Sequence, residues 1–520
     1  MRVTVFAPYA AWRPHFETDL EIVQDHLDRG DEVTVLSCPG HLPACDSNPR
    51  GEARPCVKCL GRRQHGLSLL DGKVTLKTLP PYTNEGLPTL QTRFASVDEL
   101  TAYHVGNFDI GWAVLSTLVS LRRDPIIDTV AQADEIERLI EASEHTYRSL
   151  VEYLAQGNTD VLYVFNGRFT LVRAALRASQ NQGVPCFAHE RGRDHHHYEL
   201  YADSMPHDRD LIDRRIRQQW RESDTNAINR ESKARRWFED RARGISQTWK
   251  SFITDQSASL LPEDWDATKR NIVVFPSSED EFVAIGDNWR YPFYETQLEG
   301  IQRLIDSLSD QSHDFHIYVR IHPNLTNVDN EQTRGLAALD APFVTVVPPD
   351  SAISTYALLR RCEKAISFGS TIGIEATYWG VPSILLGPAF YRNLAGTYNP
   401  RSHDEFLQLL SRDLPPLERT PALMYGYYQA TFGRPYRYYA SSDLMRGTFR
   451  GSRVRQTMLS WLKSESVKLA DVLRRLLPVF GKSPSTSDHD TLSGTSRSES
   501  KTPEYPPAVQ HDTPPARKAG

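Results

Sequence analysis

Lys364-Ala-Ile-Ser-Phe-Gly-Ser-Thr-Ile-Gly-Ile-Glu-Ala-Thr377 is the stretch on which the fold class turns. An apolar strand pattern ends at Phe368, and Gly369 lets the backbone turn tightly. Ser370 and Thr371 open a helix, which Tyr378-Trp379-Gly380-Val381-Pro382-Ser383 ends sharply into another strand. A helix start after such a turn offers free N–H groups and a positive dipole end, so it suits a phosphate, and the two hydroxyls add donors. Glu375, one turn into the helix, is placed to accept hydrogen bonds from a ribose or sugar hydroxyl pair. The competing reading is an ordinary N-cap, with Ser370 capping its own helix. The abrupt strand that follows favours an anionic ligand.

Working outward, strands are predicted at Asn271–Pro276, Phe315–Ile321, Phe343–Val347, Lys364–Phe368 and Ser383–Leu386. Helices at Tyr294–Leu308, Ser354–Arg361 and Ile372–Trp379 alternate with them, the pattern of a doubly wound parallel sheet. In such sheets ligands lie beyond the carboxyl ends of the strands. There the sequence places Ser277 and Ser278, His322 and Pro323, and the Gly369-Ser370-Thr371 turn. His322 is set to donate to a phosphate oxygen or leaving group, and Pro323 fixes the direction in which the chain leaves. A local turn and a satisfied loop histidine are the bland readings of these two segments.

The N-terminal region carries a second block of the same kind. Val3–Ala7, Glu32–Ser37, Asp160–Phe165 and Pro185–Ala188 read as strands, with helices at Phe16–Arg29 and Thr170–Gln180. Residues 96–156 are mostly helical. Asn166 and Arg168 follow one strand, and His189, Glu190 and Arg191 follow the next, so both loops should face the same cleft. Residues 193–265 are polar and charged and read as a helical connector, with runs near 207–222 and 228–244. Its charges are taken as a solvated face. The adjacent His195, His196 and His197 point to opposite sides of an extended chain and so rarely bind one ion together; they read as a solvent-exposed or acceptor-facing loop.

The expected organisation is an α/β chain of two Rossmann-like domains facing a cleft. Residues 1–192 form the N-terminal domain, with a cysteine-bearing loop at 38–63. Residues 193–265 form the connector and 266–450 the C-terminal domain. A basic amphipathic helix at 451–482 and a disordered tail at 483–520 follow. Cys38, Cys45, Cys56 and Cys59 lie close enough in sequence to suggest a structural zinc site. An iron–sulfur cluster or free thiols are the alternatives. In 453–480, apolar residues recur at helical spacing beside Arg453, Arg455, Lys463 and Lys468, which fits either peripheral contact with an anionic membrane or a terminal helix packed on the protein.

The net charge of −6, from 60 basic and 66 acidic residues, gives no basis for a nucleic-acid partner. No apolar stretch reaches spanning length, and the N-terminus reads as a strand rather than a signal. A cytoplasmic location, at the inner face of the membrane if the basic helix lies on it, is the expectation.

The order strand–Ser-Ser, strand–His-Pro, strand–Gly-Ser-Thr-x-x-x-Glu and Gly-x-Pro resembles the donor half of GT-B glycosyltransferases, over roughly 270–440. The capsule polysaccharide biosynthesis proteins, including Kdo transferases, look most alike; bacterial sialyltransferases and CDP-glycerol glycerophosphotransferases share similar elements. The resemblance implies transfer of a sugar from a CMP-, CDP- or UDP-linked donor to a surface polysaccharide or glycolipid acceptor. It implies that His322, Ser370 and Thr371 bind the donor phosphate, with Glu375 on the ribose or base side. An inverting transfer needs a base for the acceptor hydroxyl. Glu190 is the first candidate and His189 the second, with His15 and Glu17 weaker ones. Arg168 and Arg191 would hold an anionic acceptor or leaving phosphate. The alternatives are a nucleotide-sugar epimerase or glycerophosphotransferase on the same fold, or a non-catalytic scaffold of a polysaccharide-assembly complex.

Overall fold

The computed structural model describes residues 1–82, 90–223, 226–245, 251, 253–311 and 314–480. The expected disordered tail, 483–520, lies outside them. Met1–Lys468 form one compact unit. Leu469–Gly520 form a second, of which only the end of the helix Met458–Phe480 is described.

Two sheets organise the first unit. The N-terminal sheet contains β1 (Arg2–Phe6), β2 (Glu32–Ser37), β3 (Thr75–Thr78), β4 (Val161–Phe165), β5 (Cys186–Arg191) and β6 (His197–Ala202). The second contains β7 (Arg270–Phe275), β8 (Phe315–Arg320), β9 (Val344–Val347), β10 (Lys364–Ser367) and β11 (Ser383–Leu385). In the second sheet the order is β11-β10-β7-β8-β9, parallel throughout. The first sheet repeats this winding as β5-β4-β1-β2-β3, also parallel. The chain is therefore α/β with two Rossmann-like sheets, as the strand–helix alternation implies. The middle strands read Val-Thr-Val-Phe and Ile-Val-Val-Phe because helices cover both of their faces.

Several elements differ from expectation. Short, fully exposed β3 has no apolar pattern to reveal it. Residues Ala53–Leu67, within the expected cysteine loop, form a helix. The segment expected as a helical connector opens with β6, antiparallel to β5. That pairing extends β5 through Arg191, so His189, Glu190 and Arg191 lie on a strand rather than in the loop after one. The two connector helices fall at Arg209–Arg221 and Ala227–Ala242.

After the second sheet the chain returns to the first. Helix Thr420–Thr431 crosses Ala227–Ala242 closely: a Cβ on Gly426 would lie 2.5 Å from the Phe238 ring and 3.0 Å from the Ala234 carbonyl. Strand β12 (Arg434–Pro435) then pairs with β6, and the hairpin β13 (Tyr439–Ser441) and β14 (Gly447–Phe449) follows. The hairpin packs on helix His15–Asp28, which buries Glu17, Asp19, Glu21 and His26 against different neighbours: Glu17 meets Arg62, Asp19 meets His189, His26 meets Tyr163, and Glu21 meets the returning chain. Glu21 accepts the backbone N–H groups of Arg437 (2.6 Å), Tyr438 (2.9 Å) and Tyr439 (2.9 Å). Replacing Glu21 with Ala strands three donors in a largely dry interface. The expected loss is on the order of 3 kcal/mol, read as a lower urea midpoint with an unchanged m-value.

Candidate functional site

Three neighbouring strands of the second sheet, β10, β7 and β8, end in the loops that carry Gly369, Ser277 and His322. These loops meet at the carboxyl edge of the sheet. Gly369 sits at φ +118°, and a Cβ there would approach the Pro388 carbonyl oxygen to 2.5 Å, so the turn into helix Ile372–Trp379 requires glycine. Ser370 does not spend its main-chain carbonyl on the cleft: it accepts from Ser367 Oγ at 3.1 Å and from the Tyr391 hydroxyl. Ser277 is held by Gln297, which takes its N–H (2.6 Å) and donates to its carbonyl (3.0 Å), while Gln332 donates to the same carbonyl at 2.7 Å. Its Oγ is buried without a hydrogen-bond partner among the described residues. Ser278, by contrast, donates to Asp280 at 2.6 Å.

His322 Nδ1 accepts the backbone N–H of Asn324 at 3.1 Å, so in the neutral ring the proton lies on Nε2. Burial, with the nearby Arg320 and Arg241 charges, pushes this imidazole down to about 4. His322 is therefore a neutral donor at physiological pH, held in one tautomer by its own loop.

Two cavities meet at this edge. The smaller, of about 100 Å³, is lined by Arg241, Ile253, Phe275, Arg320, Tyr356 and Glu375 among others. The larger, of about 560 Å³, reaches Arg168 and His207 from the N-terminal half, with Ser277, Glu281, Tyr391 and Tyr425. His322, Ser370 and Thr371 line both.

In the small cavity Glu375, 1% exposed, is fully engaged. Arg241 Nε donates to Oε1 at 3.1 Å and Thr371 Oγ1 to the same oxygen at 3.0 Å, while the Tyr356 hydroxyl donates to Oε2. Arg241 Nη2 also donates to Thr371 Oγ1 at 3.0 Å. Burial opposes the Arg241 charge, but Glu375 and Tyr356 hold its pKa above the ordinary value. The carboxylate expected to meet a ribose instead orients an arginine and a threonine that line the cavity. Arg241 lies at the end of helix Ala227–Ala242, in the charge run read from sequence as solvated, and no sequence pattern singles it out.

The N-terminal residues divide by strand alternation. His189, expected as a second base, is fully buried with Nε2 2.7 Å from Asp19, deep in the core beside helix His15–Asp28. Glu190 lies on the other face, where it accepts from Asn166 Nδ2 (2.6 Å) and from its neighbour's N–H (3.0 Å), with His15 Nδ1 at 3.8 Å. Arg191 returns to the face of His189, with its Nη2 3.4 Å from Met445 Sδ, and Glu17 is taken up by Arg62. Arg168 reaches the large cavity and donates to the Glu281 carbonyl at 2.7 Å. Burial lowers its pKa to about 10 against the pull of Glu190 and Glu281. Glu281 is exposed at the rim of the large cavity, where its carboxylate accepts from Asn324 Nδ2 at 2.6 Å. His207 and Glu281 are cleft residues that the sequence reading missed.

The zinc expectation is not supported. Among the described residues no group of three or more His, Cys, Asp or Glu side chains is placed to hold a metal ion. Cys38 accepts from the Gly40 N–H at 3.3 Å, Cys56 accepts from Asn48 Nδ2 at 3.2 Å, Cys45 lies in a tight bridge to Asn48, and none of the four is in a disulfide. Burial first of all raises the thiol of Cys38 to about 11. Among the described residues no helix is long and apolar enough to cross a membrane.

No protein-family model matches the chain, and no curated protein matches it in sequence. Solved structures do match in fold. A beta Kdo 2,4 transferase, KpsC of Thermosulfurimonas dismutans, is 14% identical over 52% of this chain and 79% of its own, with a TM-score of 0.35. A putative UDP-N-acetylglucosamine 2-epimerase from Listeria monocytogenes is 12% identical over 81% and 93%, with a TM-score of 0.26. The glycosyltransferase SnogD from Streptomyces nogalater is 12% identical over 82% and 94%, with a TM-score of 0.23. At such identities the site's own residues are the basis for function.

Two outcomes are expected. Arg241→Ala leaves Glu375 buried beside no cation; because the Arg241 side chain is 35% exposed, the cost is discounted to about 2 kcal/mol in chemical denaturation. The added Glu375→Gln should recover part of it. His322, with its folded pKa depressed from 6.5 to about 4, contributes stability that is fully present above pH 6.5 and is lost as pH falls toward 4. The ring's NMR titration should have its midpoint near 4, and a midpoint near 6.5 contradicts the buried neutral assignment.

Proposed function

We propose that this chain is a glycosyltransferase that takes a nucleotide-activated sugar and passes the sugar to a glycan or glycolipid acceptor. The observation that carries this reading is the meeting of two cavities at His322, Ser370 and Thr371. A nucleotide-linked sugar has the same layout: a nucleoside on one side of a phosphate and a sugar on the other. The small cavity, with Arg241, Tyr356 and Phe275, lies on the nucleoside side of that phosphate. The phosphate lies against the start of helix Ile372–Trp379, with Ser277 Oγ and the His322 Nε2–H as further donors. Pro323 sets the turn that carries this ring. The large cavity receives the sugar and leaves room for an acceptor hydroxyl.

In this reading the neutral His322 and the N–H groups of the helix start stabilise the leaving phosphate as its bond to the sugar breaks. A base takes the acceptor proton, and Glu190 is proposed for that role. Its oxygens already accept from Asn166 Nδ2 and the Arg191 N–H, which orient the carboxylate. Arg168 balances negative charge on the acceptor side, and Ser278 with Asp280 stiffens the loop that bears Ser277.

Calorimetry against CMP, CDP and UDP tests the donor site. At least one should bind the wild-type chain, and H322A/S370A should weaken it at least tenfold. Equal affinity in the double variant removes the site. Glu190→Gln should leave nucleotide affinity unchanged and lower turnover by about 100-fold or more. Conversion of a nucleotide sugar to its epimer with no acceptor present would instead identify an epimerase.

A further inference from the structure

The first three turns of the helix that begins at Met458, up to Lys468, dock on the protein the wrong way round for a soluble terminal helix. Its inward residues are small and polar. Ser460 and Ser464 are buried, and their hydroxyls are spent on the helix's own Thr457 and Trp461 carbonyls at 2.9 Å. Ser460 fits because Gly61 faces it: a Cβ on Gly61 would lie 1.8 Å from Ser460 Oγ. Arg54 of the neighbouring helix Ala53–Leu67 adds a tie by donating to the half-exposed Glu465 at 3.0 Å. The large apolar residues point the other way. Met458 is 79% exposed, Leu459 63%, Trp461 53% and Leu462 49%.

An amphipathic helix normally buries its apolar face, which stabilises by roughly 25 cal/mol per Å² removed from water. Leaving Met, two Leu and Trp together in water forgoes that gain, and an exposed patch of this kind marks a contact surface. Charge identifies what it contacts. Although the chain carries a net charge of −6, the segment 453–468 has Arg453, Arg455, Lys463 and Lys468 against the single acid Glu465, which Arg54 already pairs. All four cations are exposed, and Lys58 is exposed on the neighbouring helix Ala53–Leu67. A protein groove would have to match this cationic fringe with acids of its own. An anionic bilayer matches it without specific pairing, and Trp461 suits the depth where an aromatic ring meets headgroups.

We propose that the outward face of this helix, Met458, Leu459, Trp461 and Leu462, lies in the interface of an anionic phospholipid membrane, with Lys463, Lys468, Arg453 and Arg455 at headgroup level. The proposal is independent of the sugar chemistry and holds whether or not the donor reading does.

Cosedimentation of the full chain with vesicles tests it. The wild-type chain should sediment with vesicles of phosphatidylcholine and phosphatidylglycerol in equal parts, stay in solution with phosphatidylcholine alone, and be released by salt. W461S/L462S should lower vesicle binding at least tenfold, and K463E/K468E by about tenfold or more. Both changes fall on exposed positions, so the Tm should hold; if the apolar variant does unfold, the charge variant decides. A wild-type chain that ignores anionic vesicles overturns the proposal. So does equal binding to both lipid mixtures, or a concentration-dependent dimer lost in W461S/L462S without any vesicle binding, which would make a second copy the occupant.

Discussion

The cleft depends on a few arginine side chains of the first half that reach main-chain carbonyls of the second. Arg168 donates to Glu281 O at 2.7 Å, Arg173 to Ile285 O at 3.0 Å, and Arg123 to Asn324 O at 3.4 Å and to the Asp280 carboxylate at 3.0 Å. The contacts run in both directions, since Asn330 donates to Arg123 O at 2.7 Å and Trp289 Nε1 to His207 O at 2.9 Å. A guanidinium suits this task because its charge is delocalised and its donors lie in a rigid plane. It can satisfy a carbonyl in a partly dry gap where an ammonium would demand water. The segment that follows β7 is where most of these bonds land. That loop also carries Ser277, so the spacing of the two halves and the position of one wall of the site are set together.

The other wall has a comparable dependence. Thr371 lines both cavities, and its hydroxyl is tied to Arg241 and Glu375 at 3.0 Å each. Arg241 arrives from the helix that links the two sheets. The connector is therefore coupled to the small cavity: a shift of the helix Ala227–Ala242 moves a cation that lines it. The same helix is gripped by Thr420–Thr431 through the close approach at Gly426. The return of the chain to the first half thus supports the site from behind, and Glu21 pins that return by taking three successive N–H groups.

The N-terminal half shows how much a single ladder changes. A β5 that ended at Ala188 would leave His189, Glu190 and Arg191 free to point into the cleft. Pairing with β6 turns them into strand residues, so they alternate. His189 goes to the interior against Asp19, and Glu190 remains on the face with Asn166 and His15.

Local sequence determined the parts of this protein that need only local physics. Buried parallel strands announce themselves as short apolar runs between helical patterns, and most of those expected in the two blocks lie within a residue or so of their places. The Gly369 turn is equally local, because its φ and the nearby Pro388 carbonyl admit no side chain. Tertiary structure decided what depends on distant partners. Strand β3 exists only as an edge laid on β2, and among the described residues the cysteines are not grouped as a metal site. Arg241 is one cation among many in a charged run until folding sets it 3.1 Å from Glu375, 134 residues away. The direction in which the last helix faces was likewise hidden: periodicity gives an amphipathic helix two faces, and only the glycine at 61 determines that the serine face turns inward.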